Sequence, residues 1–334
     1  VFRVMAGGLA AVLASVVLAG VSNAGDVGAA RVRTDHHVHV HSPEILAYLP
    51  AYCASPGRIG ACDPAFVRPL TADGLLAAMD RGGVARAWIM STGYLAESPM
   101  MVPPRADAAG LVHAANAFTV DLARRHPGRL VAFVGVNPAT PTALAEIEAW
   151  KDDPAARGVK IHLTNSGVDL RDPTQVARLA AVFRAASDAG MAIMIHMRTR
   201  SPDYGARDVQ VFLDQILPAA GSTPVIIAHS GGWGGLDAPT WSAMEAFATA
   251  LEAHPGAYPD LHFDIAQTFD EETSPEDFRR LAGMMRRIGP ERFVPGSDWP
   301  FSGELNAYFG RTLDRLPLTA DQLDALRSRE VPLR

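Results

Sequence analysis

Cysteine is nearly absent. The 334 residues hold two, Cys53 and Cys62, which excludes a disulfide-dense scaffold and any metal cluster built mainly on thiolates. Runs of lysine or arginine that could track phosphates are missing too, and the formal net charge is −6. A nucleic-acid partner is therefore not expected, and a small-molecule substrate is. No GxGxxG turn follows the first strand-like segment, as a dinucleotide-binding fold would require. Short repeats and low-complexity tracts are also lacking past the N-terminus.

The one long apolar run lies at the start of the chain. VFRVMAGGLAAVLASVVLAGVSNAGD has a single cation, Arg3, an uncharged core and a small-residue exit at Ser22, Asn23 and Ala24. This is the layout of a secretory signal peptide over residues 1–24, with cleavage after Ala24 and a mature chain beginning near Gly25. Export to a periplasm or the medium follows as an expectation, with an uncleaved membrane anchor as the alternative. The run is short for a spanning helix and has no basic flank after it, so no stable membrane span is expected after processing. In an exported chain, the close pair Cys53 and Cys62 suggests a disulfide stapling a surface excursion. Free thiols or a metal pair are the competing reading, disfavoured because the spacing is too long for CxxC.

What is present, after the leader, is alternation. Short apolar runs at 31–40, 84–90, 130–136, 157–163, 191–196, 224–229, 261–266 and 293–298 read as strands. Between them lie helical patterns such as TADGLLAAMDRGG, TQVARLAAVFRAASDAG and SPEDFRRLAGMMRRIG, several opened by Thr, Ser or Asp and closed by Gly. Strand-helix units repeated in this way over residues 25–334 predict one α/β domain, a (β/α)8 TIM barrel, with long proline-rich loops at 42–70 and 92–107 after the first and second strands. GGWGG at 231–235 reads as a flexible loop near the mouth, and residues 164–172 and 199–207 are further loops that would shape a pocket.

Histidine is concentrated where a barrel does chemistry. In RVRTDHHVHV, valines favour an extended chain, so His37 and His39 share one face, with Asp35, and His36 takes the other. Two imidazoles on one face are a start on a transition-metal site but do not complete one. His196 closes the fifth strand, His229 the sixth and Asp298 the eighth, so all converge on the C-terminal rim.

The stretches TDHHVHV, GVKIH, IMIHM, IIAHSGG and GSDWPF, in this order and spacing, resemble the amidohydrolase superfamily, most closely amidohydrolase family 2, over roughly residues 31–325. The resemblance implies one divalent metal held by His37, His39, His196 and Asp298, with His229 beside it as a catalytic residue. Zinc is the expected ion from the donor set, with manganese, iron or cobalt as alternatives. Such an ion lowers the pKa of a bound water and polarises a carbonyl; Asp298 can take the water proton and His229 can polarise the oxygen or share the proton work. The C-terminal LTADQLDALRSREVPLR departs from the Asn-Ala-x-Arg-Leu segment that usually ends such chains, which puts the closing helix in question. In two-metal relatives a lysine on the fourth strand becomes carboxylated and bridges the ions. For Lys160 a contact with a substrate anion, or an internal ion pair, is the favoured reading.

Four further residues are candidate substrate contacts, each with a plainer alternative. Lys160 and His162 share a face of the fourth strand; His162 also suits a hydrogen-bonded interior. Arg198 could clamp a carboxylate but more often such a residue is a solvated ion-pair partner. Trp299, like Trp233, stands beside site residues and suits either a pocket wall or ordinary packing. His36 reads as a packing residue, and His113, His126, His254 and His262 as structural or surface groups. The expected function is metal-dependent hydrolysis of a lactone, cyclic amide or similar carbonyl compound. The alternative is metal-dependent decarboxylation of an unsaturated or aromatic acid, and a non-catalytic binding protein on a barrel scaffold is the third reading.

Overall fold

The computed structural model describes residues 31–58 and 60–333. The expected leader therefore lies outside the described residues. All eight expected strands form: β1 Val32–His39, β2 Val84–Met90, β3 Leu130–Val136, β4 Ala156–His162, β5 Ala192–His196, β6 Val225–Ile227, β7 Leu261–Asp264 and β8 Phe293–Val294. They pair in parallel in chain order. The seam between β8 and β1 is carried by backbone bonds beyond the short last strand. His36 N–H donates to Pro295 O (2.9 Å), Asp298 N–H to His37 O (2.8 Å) and His39 N–H to Trp299 O (3.0 Å). A nearly closed (β/α)8 barrel results.

Period-two alternation sorts the side chains into two cores. Trp88, Met90, Phe133, Met194, Ile226 and Val294 point inward and fill the barrel. Ala87, Ile89, Val159, Ile161, Ile193 and Ile195 point outward, where the helices cover them. Gly158 has no room for a side chain, since a Cβ there would lie 2.1 Å from the Phe133 ring. The helices begin where small polar side chains can take an orphan amide. Thr71 accepts Gly74 N–H ahead of Ala72–Gly82, and Ser274 accepts Asp277 N–H ahead of Pro275–Ile288.

Three expectations need adjustment. The excursion after β1 is partly helical: Pro43–Cys53 is a helix whose first turn is capped by Ser42. The closing helix, in question on sequence grounds, is present as Ala320–Ser328, with a reciprocal cap between Thr319 and Gln322. The alternation read for β1 fails midway, because the register with β2 shifts between Asp35 and Val38. That bulge turns Asp35 away from the His37 and His39 rings, to accept Ser297 Oγ–H (2.6 Å), Ser297 N–H (2.9 Å) and the backbone N–H of His37 (3.1 Å). It also brings His36 inside, edge-on to Trp88. No helix among the described residues is long and apolar enough to cross a membrane.

Candidate metal centre and active site

Inward positions near the C-terminal ends of β1, β4, β5 and β7 carry polar groups instead of apolar ones: His37 and His39, Lys160 and His162, His196, and Asp264. His229 is different in origin. Parity would send it outward beside Val225 and Ile227. Instead His229 and the next residue, Ser230, adopt left-handed backbone (φ 55° and 52°), and the turn throws the imidazole back over the barrel. Asp298 (φ 60°) and Gln267 (φ 44°) are left-handed as well. Each such residue costs on the order of 1–3 kcal/mol. Three of these four, His229, Gln267 and Asp298, line one cavity, which marks where the fold has spent stability on aim.

The cluster is buried and tight. Asp298 Oδ1 lies 3.1 Å from His39 Nε2 and 3.5 Å from His37 Nε2. His37 Nδ1 lies 2.9 Å from Asp264 Oδ2, and its Nε2 lies 2.8 Å from Lys160 Nζ. His229 Nδ1 faces Ala266 O at 2.8 Å, which leaves Nε2 toward the cavity. His37, His39 and Asp298 offer ligand atoms within 4.8 Å of one another, as do His37, His229 and Asp264. His196 stands just outside these groups, stacked on His162 with ring centroids 3.8 Å apart and 5.0 Å from the His229 ring.

The electrostatics suit a cation. Burial pushes the His37, His162 and His196 rings well below the usual imidazole range, with Lys160 adding to it at His37, so all three present neutral nitrogens. Burial pushes the Asp298 carboxyl up, but His37 and His39 outweigh it and hold the group well below the ordinary carboxylate value. Burial brings Lys160 down to about 8 against the pull of Asp264 and Asp298. Two polar atoms here, Asp298 Oδ1 and His196 Nδ1, are buried with no well-formed hydrogen bond. These two orphaned atoms, within a donor set of three imidazoles and a carboxylate, fit a single divalent ion.

A cavity of about 720 Å³ opens over the cluster. The expected substrate contacts divide on it. Lys160, His162 and Arg198 line it, while Trp299 does not. Trp299 is buried in the outer core, and Phe301, two residues on, takes the wall position. Trp233, half-exposed on the GGWGG loop, also lines the cavity. Arg198 is held by its own chain, clamping both oxygens of Asp237 (3.1 and 3.2 Å). Cys53 and Cys62 form a disulfide, and the segment it closes brings Arg58, Asp63 and Phe66 to the cavity. Asp264 is the residue that sequence reasoning passed over. Its signal was parity: in LHFD the acid falls on the inner face at the last position of β7.

The amidohydrolase family model matches residues 34–329. The chain belongs to amidohydrolase family 2. It is thereby an enzyme, and the family together with the His/Asp cluster supports one divalent metal. No curated protein matches the sequence. Among solved structures, 5-carboxyvanillate decarboxylase from Sphingomonas paucimobilis is similar at 19% identity and TM-score 0.62, covering 89% of this chain and 96% of that one. A 5-carboxyvanillate decarboxylase from Novosphingobium aromaticivorans, complexed with manganese and 4-hydroxy-3-methoxy-5-nitrobenzoic acid, matches at 14% and TM-score 0.59 (91% and 95%). The 2,6-dihydroxybenzoate decarboxylase from Rhizobium matches at 14% and 0.56 (88% and 95%). Identities this low establish a shared fold.

Proposed function

We propose that the enzyme decarboxylates an aromatic or comparably unsaturated carboxylic acid, with His37, His39, His196 and Asp298 holding one divalent ion. The observation that carries this reading is the pairing of aromatic residues (Tyr52, Phe66, Trp233, Phe301) with Arg58 and Arg200 in the lining of one cavity that also holds the cluster. Aromatic faces suit a planar ring and guanidinium suits a carboxylate or phenolate. The similar decarboxylases of known structure support it. Hydrolysis of a lactone or cyclic amide uses the same residues and is the second reading.

The donor set, three imidazoles and one carboxylate, favours zinc, and the manganese in one structural neighbour keeps that ion in the comparison. A cation so held supplies Lewis acidity toward the oxygens of a bound carboxylate. The remaining chemistry belongs to side chains. Decarboxylation needs a proton delivered to the ring carbon that bears the carboxylate; the bond from that carbon to the carboxylate then breaks, its electron pair returns to the ring and carbon dioxide leaves. His229 can carry that proton at Nε2, because Nδ1 is committed to Ala266 O. Asp298, held ionised, is suited to a ligand oxygen and to balancing an imidazolium at His229. Trp233 and Phe301 keep water from the ring face.

The test is a screen of the zinc- and manganese-loaded enzyme against hydroxylated benzoates, lactones and cyclic amides, recording both carbon dioxide release and ring opening. Carbon dioxide release from an aromatic acid is expected. Ring opening without it would replace this reading by hydrolysis. A folded protein that takes up neither ion would remove the metal from both.

A further inference from the structure

We propose that Asp264 is a positioning residue: it dictates which nitrogen of His37 faces the cluster. The proposal rests on the reading of His37 as a ligand. It starts from an ambiguity, since an imidazole ring can carry its proton on either nitrogen and only the bare one can bind a cation.

The surroundings of His37 resolve that ambiguity from both sides. On one, Asp264 Oδ2 lies 2.9 Å from Nδ1, and a carboxylate can only accept. On the other, Lys160 Nζ lies 2.8 Å from Nε2, and an ammonium can only donate. Both contacts require Nδ1–H and an unprotonated Nε2, the nitrogen nearest Asp298.

Asp264 is itself locked for the task. The side chain is fully buried, and Oδ1 accepts His229 N–H at 2.7 Å and Ala266 N–H at 3.0 Å. Gly296 presses on it from β8's extension, where a Cβ would come within 3.1 Å of the Asp264 Cβ. With Oδ1 shared by two amides and Oδ2 by His37, the carboxylate has no rotational freedom left. The amide of His229 belongs to the left-handed turn that aims that residue, so one carboxylate serves both histidines. Although Asp264 lies within ligand distance of His37 and His229, both its oxygens are already occupied, which is why we assign it to positioning and not to the ion.

Replacing one atom separates these duties. In Asp264→Asn the carbonyl oxygen can keep the two backbone amides, and the NH2 then faces His37. The opposite orientation would set the NH2 against two N–H groups. His37 must then accept at Nδ1 and carry its proton at Nε2, which blocks the lone pair and obliges Lys160 to give up the bond it donates there.

The experiment uses the full chain, labelled with 15N at histidine and stripped of metal. The His37 resonances, assigned by their loss in His37→Gln, should report Nδ1–H in the parent and Nε2–H in Asp264→Asn. Zinc affinity, measured by competition with a chelator, should fall about 10- to 100-fold in the same variant. An unchanged tautomer, or an unchanged zinc affinity, overturns the proposal. The tautomer is read without metal or substrate, so it is decided even if the enzyme proves to bind no zinc. In that event the proposed function fails separately.

Discussion

His37, His229 and Asp298 should part company when changed one at a time. His37→Ala removes a nitrogen 3.5 Å from Asp298 and should lose metal and turnover together. His229→Ala should keep nearly full metal while turnover falls by about 10²-fold or more, the usual scale for one acid-base group. Asp298→Asn keeps an oxygen but loses the charge, so metal should persist in part while turnover falls by several orders of magnitude. Metal content measured beside turnover checks all three, and an emptied site in His229→Ala with a full one in His37→Ala would reverse the ligand assignment. His36, next in sequence, carries a pH dependence. Its Nδ1–H donates to Pro295 O (2.8 Å), its Nε2 accepts Val331 N–H (3.3 Å), and burial brings the ring down to about 4 from 6.5. The unfolded chain therefore takes up a proton near pH 6.5 and the folded one not until about 4. Stability that is complete above pH 6.5 is lost on acidification through this window, by about 3 kcal/mol. Urea titrations at pH 7 and 4.5 should show His36→Asn losing less than the parent, and equal losses would sink the assignment. At this scale the sequence was readable where parity held, as for His37, His39, Lys160 and His196. His229 reaches the site only through left-handed backbone, and the glycines of that turn, Gly231 and Gly232, follow the strained residues and do not stand at them.

The excursion that closes over the cavity is the element with the clearest covalent signature. The Cys53–Cys62 bond ties the end of the helix Pro43–Cys53 to the segment leading to Asp63 and Phe66. Inside that loop Ser55 Oγ donates to Met100 O (2.7 Å) and accepts Val102 N–H (2.9 Å), and a Cβ at Gly57 would lie 2.6 Å from Met100 O. The two long loops after β1 and β2 are thus sewn together. For a loop of this length, chain entropy puts the stabilisation at roughly 2–3 kcal/mol. Replacing both cysteines by serine should lower unfolding stability by about that amount. Because Arg58 and Phe66 ride on the stapled segment, it should also raise KM more than it lowers kcat. Loss of kcat at constant KM would mean that the loop serves the chemical step and not the pocket. Strand positions were legible from apolar runs and their punctuation, and all eight appear within a few residues of expectation. The lengths of β6 and β8 were not, because both runs leave the ladder early. The chain turns left-handed at His229 after β6 and at Asp298 after β8, a backbone choice made by the site and invisible in hydrophobic pattern. The β1 bulge was hidden for the same reason, since no glycine or proline announces it.

Across the whole molecule, chemistry and stability occupy opposite ends of the barrel. The rim holds four of the five left-handed non-glycine residues among the described ones, the metal-ligating cluster and the open cavity. The base is shut by the chain's last described residues. Val331 is buried among Trp88, Met90, Phe133 and Met194, completing the inner core from below. Arg329 donates to Pro290 O (2.8 Å) and Phe293 O (2.9 Å), and Glu330 takes Thr34 Oγ1 and an ion pair with Arg33. This segment acts on the floor, where barrels place stability, and not on the rim, where they place catalysis. Val331→Ala removes two buried methyl groups and should cost about 2 kcal/mol, and removal of residues 329–334 should cost several times more, because the four polar partnerships of Arg329 and Glu330 go with it. Zinc affinity in either variant should stay within about twofold of the parent under conditions where the protein is fully folded. Unfolding curves and chelator competition on the same preparations check both halves. A truncated chain that keeps its stability would show the floor to be closed by other residues, and one that keeps its fold but loses its metal would show the two ends of the barrel to be coupled.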